Sequence, residues 1–266
     1  MEHLKVLDMR PENAEIMDPI PIVFSQGFNG IPQHLTEVAQ RLANERKRQV
    51  IFVCDDHGIE HEEKSHRNKT PQRKKGNAII RMMDEQGIER ADVVGYSEGA
   101  VTMTDAIMDY PERFRNMVLL NPAGMQGKDN PVALALRAGI EIVQQTWRFI
   151  APVKKEMRQK AMEIMNIDHR YFRDGRLASV REAHNLGHED IAQRLKFLRE
   201  EHGMKVGIVA GKRDQLFRKD QTKRNAHKAG IPDELMSFPD FPHIAHVEDP
   251  AQVADALAEM FERLEA

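Results

Sequence analysis

Short apolar runs alternate along the chain with longer stretches in which apolar residues recur at helical spacing. The short runs predict six strands, at 21–25, 49–54, 92–94, 117–120, 206–210 and 235–238, and polar or glycine-bearing residues follow most of them. Helical spacing is clear at 32–42, 78–87, 100–110 and 250–264. This alternation predicts the α/β class, with a mostly parallel sheet flanked by helices on both faces. In such a sheet the ligand site lies at the carboxyl ends of the strands.

The interval 125–203 breaks this alternation, because it holds helical stretches at 132–150, 153–165 and 178–202 and no convincing strand. We therefore predict a core made of residues 1–124 and 204–266, with 125–203 inserted as a helical cap over the strand ends. The large apolar side chains of the cap either face an apolar ligand or pack the cap onto the core. They are Met125, Leu134, Leu136, Ile140, Trp147, Phe149, Met157, Met162 and Met165.

The first 19 residues, which include Glu12, Glu15 and Asp18, leave three interpretations open. They form an extra edge strand, the arm of a homodimer, or a disordered tail.

The composition is typical of a soluble globular protein, with 266 residues, 41% of them hydrophobic, and a net charge of −3. Charges of both signs are mixed, so we expect no nucleic-acid surface. No apolar stretch approaches the roughly 20 residues of a membrane helix, and the start of the chain lacks the apolar core of a signal peptide. The single cysteine, Cys54, cannot form an internal disulfide. We therefore expect a cytoplasmic protein that has neither a membrane span nor a nucleic-acid partner.

The segment 57–75 is strongly polar and holds three histidines. His61, Glu62, Glu63 and His66 raise the hypothesis of a metal site, but they do not form a compact tetrahedral ligand set with matched spacing. We favour a solvated loop that leads into a helix, and we expect neither a metal nor an organic cofactor.

Ser97 carries the most informative chemical signal in the chain. It lies in Gly95–Gly99, which has the form G-x-S-x-G, between the apolar run 91–94 and the helical stretch 100–110. A nucleophilic serine has to stand out of a sharp turn between strand and helix, and flanking glycines relieve the crowding of that turn. An ordinary strand–loop–helix junction is the alternative, but the strand before and the helix after favour a nucleophile.

A nucleophilic serine needs a histidine base and a carboxylate that orients this histidine. Asp214 follows the strand 206–210, so its carboxylate is expected at the active edge, with an ordinary loop aspartate as the alternative. Two candidates for the base, His243 and His246, lie just before the last helix. The chain order Ser…Asp…His is that of one fold of serine hydrolases and differs from the orders in other folds.

These residues resemble an α/β-hydrolase of the lidded, serine esterase-like type, and the resemblance extends over nearly the whole chain. The segment Gly95–Gly99, which matches the nucleophile elbow of this family, and the segment 210–214 are among its most specific parts. In the family the catalytic histidine commonly precedes a glutamate by five residues, and His243, Glu248 and Pro250 fit that pattern. The resemblance therefore implies that His243, and not His246, is the base.

The resemblance also implies that two main-chain N–H groups form the oxyanion hole. One belongs to Glu98, directly after the nucleophile, and the other to Phe28, in the loop after the strand 21–25. Two residues depart from the family pattern, since Gln26 replaces a usual histidine and Pro242 a usual glycine. The Glu98 carboxylate would disfavour an anionic intermediate if it faced the pocket, so we expect it to point away, toward helix or solvent groups.

We expect a serine hydrolase with the catalytic residues Ser97, Asp214 and His243, which cleaves carboxylic esters of small to medium, largely apolar substrates through an acyl-enzyme. Thioesterases, lactonases, amidases and C–C bond hydrolases of the meta-cleavage type use the same residues, and these activities stay open. A non-catalytic ligand-binding homologue is an alternative of another class. Epoxide hydrolases and haloalkane dehalogenases are disfavoured, because they use an aspartate where this chain has Ser97.

Overall fold

A mostly parallel sheet of seven strands forms the centre of the part of the chain that the computed structural model describes, which is residues 4–12, 14–27, 32–55, 70–127, 137 and 183–266. The strands are β1 (Leu4–Met9), β2 (Ile22–Ser25), β3 (Val50–Asp55), β4 (Ala91–Tyr96), β5 (Phe114–Leu120), β6 (Lys205–Val209) and β7 (Met236–Ser237). Their order in the sheet is β1-β3-β2-β4-β5-β6-β7. All neighbouring strands are parallel except β1 and β3. The predicted α/β class is confirmed.

The antiparallel strand β1 lies at one edge of the sheet, where Val6 pairs with Val53. Of the three interpretations of the first 19 residues, an edge strand is therefore the one that residues 4–9 adopt. The homodimer arm, which concerns contacts between two copies of the chain, stays a prediction.

Helices cover both faces of the sheet. They are α1 (Pro32–Arg46), α2 (Pro71–Glu85), α3 (Glu98–Asp109), α4 (Ala192–His202), α5 (Lys219–Lys228), α6 (Ala245–Glu248) and α7 (Pro250–Glu265), with 3-10 turns at Pro111–Arg113 and Asp233–Leu235 and a helical segment at 183–188. Helices α1 and α7 share one apolar core with the sheet, and α2, α3 and α4 share the other. Ile22 and Phe24 of β2 point into the first core and Val23 into the second, because successive side chains of a strand alternate. Among the described helices, none combines the length and the apolar character that crossing a membrane requires.

Helix α2 begins at Pro71, earlier than the predicted helical stretch 78–87. The hydroxyl oxygen of Thr70 accepts a hydrogen bond from the N–H of Arg73 at 3.3 Å, and this caps the helix. Pro71 stands in the first turn, where its missing N–H costs nothing. Thr-Pro is therefore the sequence signal for the true start of α2.

The expectation of a solvated loop over 57–75 is wrong for 71–75, which belong to α2. Lys75 is buried, and its Nζ lies 3.2 Å from Oε2 of Glu98. A charged side chain can be buried when an opposite charge compensates it, and this partner is 23 residues away in the sequence.

Buried charges tie the sheet together at the amino ends of its strands. The carboxylate of Asp92 in β4 lies 2.7 Å from Nη1 of Arg48 and 2.7 Å from Nη2 of Arg115. Asp18 of the N-terminal segment and Glu265 of α7 bring further carboxylates to these guanidinium groups. The cluster therefore joins both ends of the described chain to the central strands, on the side away from the strand carboxyl ends.

Most of the predicted cap, 125–203, lies outside the described residues, and so do all the apolar cap residues named above except Met125. The described C-terminal part of this interval contacts the core residue directly before the interval, because the N–H of Ile191 donates to the carbonyl oxygen of Gly124 at 3.0 Å. Helix α4, which follows, packs into the core that α3 covers. The division of the chain into core and cap stays a prediction.

Candidate active site

Ser97 lies at the turn between β4 and α3. Its backbone has φ 53° and ψ −119°, a conformation that residues other than glycine rarely adopt. The N–H of Ser97 donates to the carbonyl oxygen of Leu120 at 3.0 Å, and its own carbonyl oxygen accepts from the N–H of Ala123 at 3.1 Å. Strain of this kind persists when the surrounding structure enforces it, and it clusters at functional sites.

Glycines allow the chain to pack closely around this turn. A Cβ on Gly99 would lie 2.3 Å from the carbonyl oxygen of Ser25, and one on Gly95 would lie 2.8 Å from the carbonyl oxygen of Gly99. A Cβ on Gly27, in the loop after β2, would lie 2.7 Å from Cβ of Ser97. A larger residue at any of these three positions would force the backbone to move. The short distance at Gly27 also shows that the loop after β2 lies directly against Ser97.

Three side chains from separate loops form one hydrogen-bonded chain. Nε2 of His243 lies 3.1 Å from Oγ of Ser97, and Nδ1 of His243 lies 2.8 Å from Oδ2 of Asp214. An ionised carboxylate only accepts hydrogen bonds, so Nδ1 carries the proton and Nε2 can accept from the serine hydroxyl. All three side chains are buried. The three residues proposed for nucleophile, base and acid therefore meet at the carboxyl end of the parallel strands.

Main-chain groups hold the carboxylate of Asp214 in place. Its Oδ1 accepts hydrogen bonds from the N–H groups of Leu216 and Phe217, each at 2.8 Å. The other oxygen, Oδ2, is then directed at His243. One oxygen anchors the loop and the other orients the imidazole.

Aromatic rings enclose the imidazole of His243. The ring of Tyr96 stacks on it with 5.5 Å between centroids, and Phe217 meets it edge-on at 5.1 Å. The hydroxyl of Tyr96 also donates to the carbonyl oxygen of His243 at 3.2 Å. His246, the second candidate for the base, packs edge-on against Tyr96 at 5.2 Å. The structure thus places His243 against Ser97 and His246 behind Tyr96.

The glutamate five residues after His243 ties the histidine loop to the aspartate loop. Oε2 of Glu248 lies 3.1 Å from Nη2 of Arg213, the neighbour of Asp214. The N–H of Arg213 donates to the carbonyl oxygen of Phe241 at 3.1 Å. These contacts give a physical reason for the spacing of histidine and glutamate in this chain.

Glu98 turns its side chain toward α2. Its Oε1 accepts a hydrogen bond from Nε2 of Gln72 at 2.8 Å, and Nζ of Lys75 lies 3.2 Å from its Oε2. The carboxylate is buried. As expected, it points toward helix groups, and Lys75 compensates its charge.

The oxyanion hole is only partly within the described chain. The N–H of Glu98 lies in the first turn of α3, where main-chain N–H groups lack partners inside the helix. Gly27 lies against Ser97, but the next residue, Phe28, lies outside the described residues. The oxyanion roles of Glu98 and Phe28 stay predictions.

Within the described ranges, no group of three or more histidine, cysteine, aspartate or glutamate side chains is arranged to hold a metal ion. The candidate ligands His61, Glu62, Glu63 and His66 lie outside these ranges.

Three side chains that support His243 were not found from the sequence: Asn121, Tyr96 and Phe217. Nδ2 of Asn121 donates to the carbonyl oxygen of His243 at 2.8 Å. An asparagine directly after a strand is a usable signal, because asparagine tolerates the left-handed backbone better than most residues. Tyr96 occupies a variable position of the G-x-S-x-G pattern, and no local pattern marks Phe217.

No protein-family model matches the chain. A segment of 48 residues is 44% identical to 2-hydroxy-6-oxo-6-phenylhexa-2,4-dienoate hydrolase from Comamonas testosteroni. The match covers 18% of this chain and spans 17% of the length of that relative.

Solved structures are similar over nearly the whole chain. A thermophilic esterase from Thermogutta terrifontis has a TM-score of 0.67 at 15% identity, with 99% of this chain and 94% of that one covered. An alpha/beta hydrolase enzyme from a Medee basin deep-sea metagenome library has a TM-score of 0.66 at 15% identity, with 97% and 94% covered. At such identities the similarity is one of fold. The chain has the α/β-hydrolase fold, as the resemblance implied.

Proposed function

We propose that this chain, on its α/β-hydrolase fold, is a serine hydrolase that cleaves carboxylic esters of small to medium, largely apolar substrates. The observation that carries the proposal is the hydrogen-bonded chain from Ser97 through His243 to Asp214 at a strained strand–helix turn. A serine hydroxyl attacks a carbonyl effectively when an adjacent base takes its proton. A carboxylate that fixes the tautomer of this base completes the set.

Acylation is the first half of the proposed reaction. Nε2 of His243 takes the hydroxyl proton as Oγ of Ser97 attacks the ester carbonyl, and Asp214 stabilises the imidazolium that forms. The N–H groups of Glu98 and Phe28 bind the negative charge that develops on the carbonyl oxygen. The imidazolium then protonates the leaving alcohol, and the acyl group stays on Ser97.

Deacylation repeats these steps with water. His243 takes a proton from a water molecule, which attacks the acyl carbonyl, and the charge on the oxygen is bound by the same N–H groups. The proton returns to Oγ of Ser97 as the carboxylic acid leaves. No step calls for a metal or an organic cofactor.

A second candidate activity is favoured by the sequence match. The relative that is 44% identical over 48 residues is a hydrolase of 2-hydroxy-6-oxo-6-phenylhexa-2,4-dienoate. Hydrolysis of a C–C bond in a dienoate of this kind uses the same three side chains, as do lactone and thioester hydrolysis.

Labelling with a fluorophosphonate probe tests the nucleophile. We expect the folded wild type to be labelled and Ser97→Ala to take no label. Ser25→Ala changes another buried serine at a strand end and is expected to keep the label. A folded wild type that takes no label would instead be a ligand-binding homologue.

A substrate panel tests the bond type. p-Nitrophenyl esters of graded acyl length are compared with a thioester, a lactone and a phenyl-substituted hydroxy-oxo-dienoate, and we expect turnover of the esters. If Ser97 is labelled while none of the esters turns over, the ester assignment is wrong in kind.

We also propose that the protein works in the cytoplasm on a small-molecule ester. The homodimer stays a separate hypothesis, and light scattering of the purified chain tests it. A homodimer would show twice the chain mass of 30.5 kDa.

A further inference from the structure

Loops from three strand ends meet at the side chain of Asn121, directly after β5. Its Nδ2 donates to the carbonyl oxygens of Pro242 at 3.2 Å and of His243 at 2.8 Å. Its Oδ1 accepts from the N–H of Gly211 at 2.7 Å. The partners fix the orientation of the amide, because carbonyl oxygens only accept and an N–H only donates. One buried side chain therefore links the loop of the proposed base to the loop of the proposed acid.

The backbone of Asn121 is tied to the turn of the proposed nucleophile. Leu120, the residue before it, accepts a hydrogen bond from the N–H of Ser97, and Ala123 donates to the carbonyl oxygen of Ser97. Asn121 itself has φ 42° and donates its N–H to the carbonyl oxygen of Val209 at 2.9 Å. With this left-handed φ the chain bends at Asn121, directly after β5.

Each hydrogen bond of Asn121 acts close to a reacting group. Gly211 precedes Asp214 by three residues, and its carbonyl oxygen accepts from the N–H of Asp214 at 3.2 Å. His243 is held through its own carbonyl oxygen, which sits on the same residue as the imidazole. Side chains of a reacting set have to be held within fractions of an ångström, and a misplacement of about 1 Å can cost on the order of 100-fold in rate.

We propose that Asn121 is a positioning residue for the reaction, which sets the base and the acid in register with Ser97. This inference rests on the proposed serine hydrolase function. It predicts a loss in the acylation step that exceeds what a loss of stability alone would cause.

Asn121→Gly is the main test, because glycine accepts φ 42° while the amide is removed. We expect kcat to fall by roughly 10- to 100-fold with KM little changed, and fluorophosphonate labelling to slow by the same factor. Asn121→Asp keeps the shape and the acceptor but loses both donors, and it should be equally slow. Wild-type rates in either folded variant would overturn the proposal.

Asn44→Gly is the matched control. Oδ1 of Asn44 also bonds to main chain, accepting from the N–H of Glu12 at 2.8 Å, but on α1 and away from the three loops. Glycine inside a helix costs about 1 kcal/mol of stability, so this variant is destabilised without a change at the site. Its labelling rate is expected to equal that of the wild type, and an equal slowing in both asparagine variants would mean a general loss of stability and overturn the proposal.

A readout independent of turnover separates this proposal from the proposed function. The proton on Nδ1 of His243 should give a low-field NMR line, because it is shared with Asp214 over 2.8 Å. We expect the line in the wild type and its broadening or loss in Asn121→Gly. An unchanged line would overturn the positioning role. An unlabelled wild type in which the line responds to Asn121→Gly would overturn only the hydrolase function.

Discussion

Replacing Lys75 by methionine removes the charge that compensates Glu98 while keeping a side chain of similar length. Nζ of Lys75 lies 3.2 Å and 3.3 Å from the two carboxylate oxygens of Glu98. The N–H of the same glutamate is the proposed oxyanion donor. An uncompensated carboxylate on that residue would repel the negative charge of the tetrahedral intermediate, so we expect Lys75→Met to slow acylation.

The size of this effect follows from covalent geometry and Coulomb's law. A glutamate carboxylate reaches about 5 Å from its own main-chain nitrogen, and an oxyanion bound to that nitrogen lies about 3 Å from it. Two unit charges about 7 Å apart repel by about 2.4 kcal/mol at an effective dielectric constant of about 20. This energy corresponds to roughly 50-fold in rate. Removing one partner of a buried ion pair also costs about 3 kcal/mol of folding stability.

A double-mutant cycle separates the electrostatic effect from the loss of stability. Rates of fluorophosphonate labelling and of ester turnover are measured for Lys75→Met, Glu98→Gln and the double variant, each shown by circular dichroism to be folded. We expect the double variant to recover most of the rate, because no carboxylate is left to repel the oxyanion. Lys196→Met, which removes one partner of a solvent-exposed pair with Glu200, serves as the control and should keep the wild-type rate. A double variant as slow as Lys75→Met would refute the electrostatic reasoning.

Three further predictions concern the packing and the buried charges. Asp92→Asn takes the nearest carboxylate from Arg48, which is 1% exposed, so the free energy of unfolding in urea should fall by about 3 kcal/mol. Asp109→Asn breaks the ion pair with Arg73, whose side chain is 47% exposed, and should change that free energy by less than about 1 kcal/mol; equal losses would contradict this. Gly99→Ala should slow probe labelling by at least roughly 10-fold, because the new Cβ would lie 2.3 Å from the carbonyl oxygen of Ser25 and displace the turn at Ser97. An unchanged labelling rate would show that the site tolerates this displacement. Burial raises the pKa of Asp105 to about 6 from the usual 3.8, so the folded state binds this proton more tightly, and stability should rise as the pH falls through that interval. The difference between the unfolding free energies of wild type and Asp105→Asn should then change by up to about 3 kcal/mol between pH 4 and pH 7, and parallel curves would exclude this titration.

Six of the seven strands and the turn at Ser97 could be predicted from the sequence because their signals are local, whereas an edge strand was only one of three open interpretations for residues 4–9. An apolar run followed by glycine marks the end of β4 as directly as the structure does. Helix α2 starts earlier than helical periodicity predicts, since charged residues in its first turns are typical of a loop. The local signal for its start is Thr70-Pro71, whereas the burial of Lys75 is explained only by its contact with Glu98.

The side chains that hold His243 in place could not be predicted, because their role depends on contacts between distant parts of the chain. Asn121 meets His243 across 122 residues, and Tyr96 meets it across 147. Which side chains occupy those positions depends on how the carboxyl ends of β4, β5 and β7 converge, and periodicity along the chain carries no information about that convergence. The spacing between His243 and Glu248 was visible as a pattern, but its reason, the ion pair with Arg213, appears only in three dimensions.

At Ser97 the requirement for thermal stability and the requirement for the proposed nucleophile favour different residues. Glycine adopts φ 53° without the steric penalty that a serine bears there, which is of the order of 1–3 kcal/mol. Directed evolution that rewards survival at high temperature alone would therefore favour glycine at this position. Such a lineage would gain thermal stability and lose the proposed nucleophile, so a thermostability screen on this scaffold has to reward turnover as well.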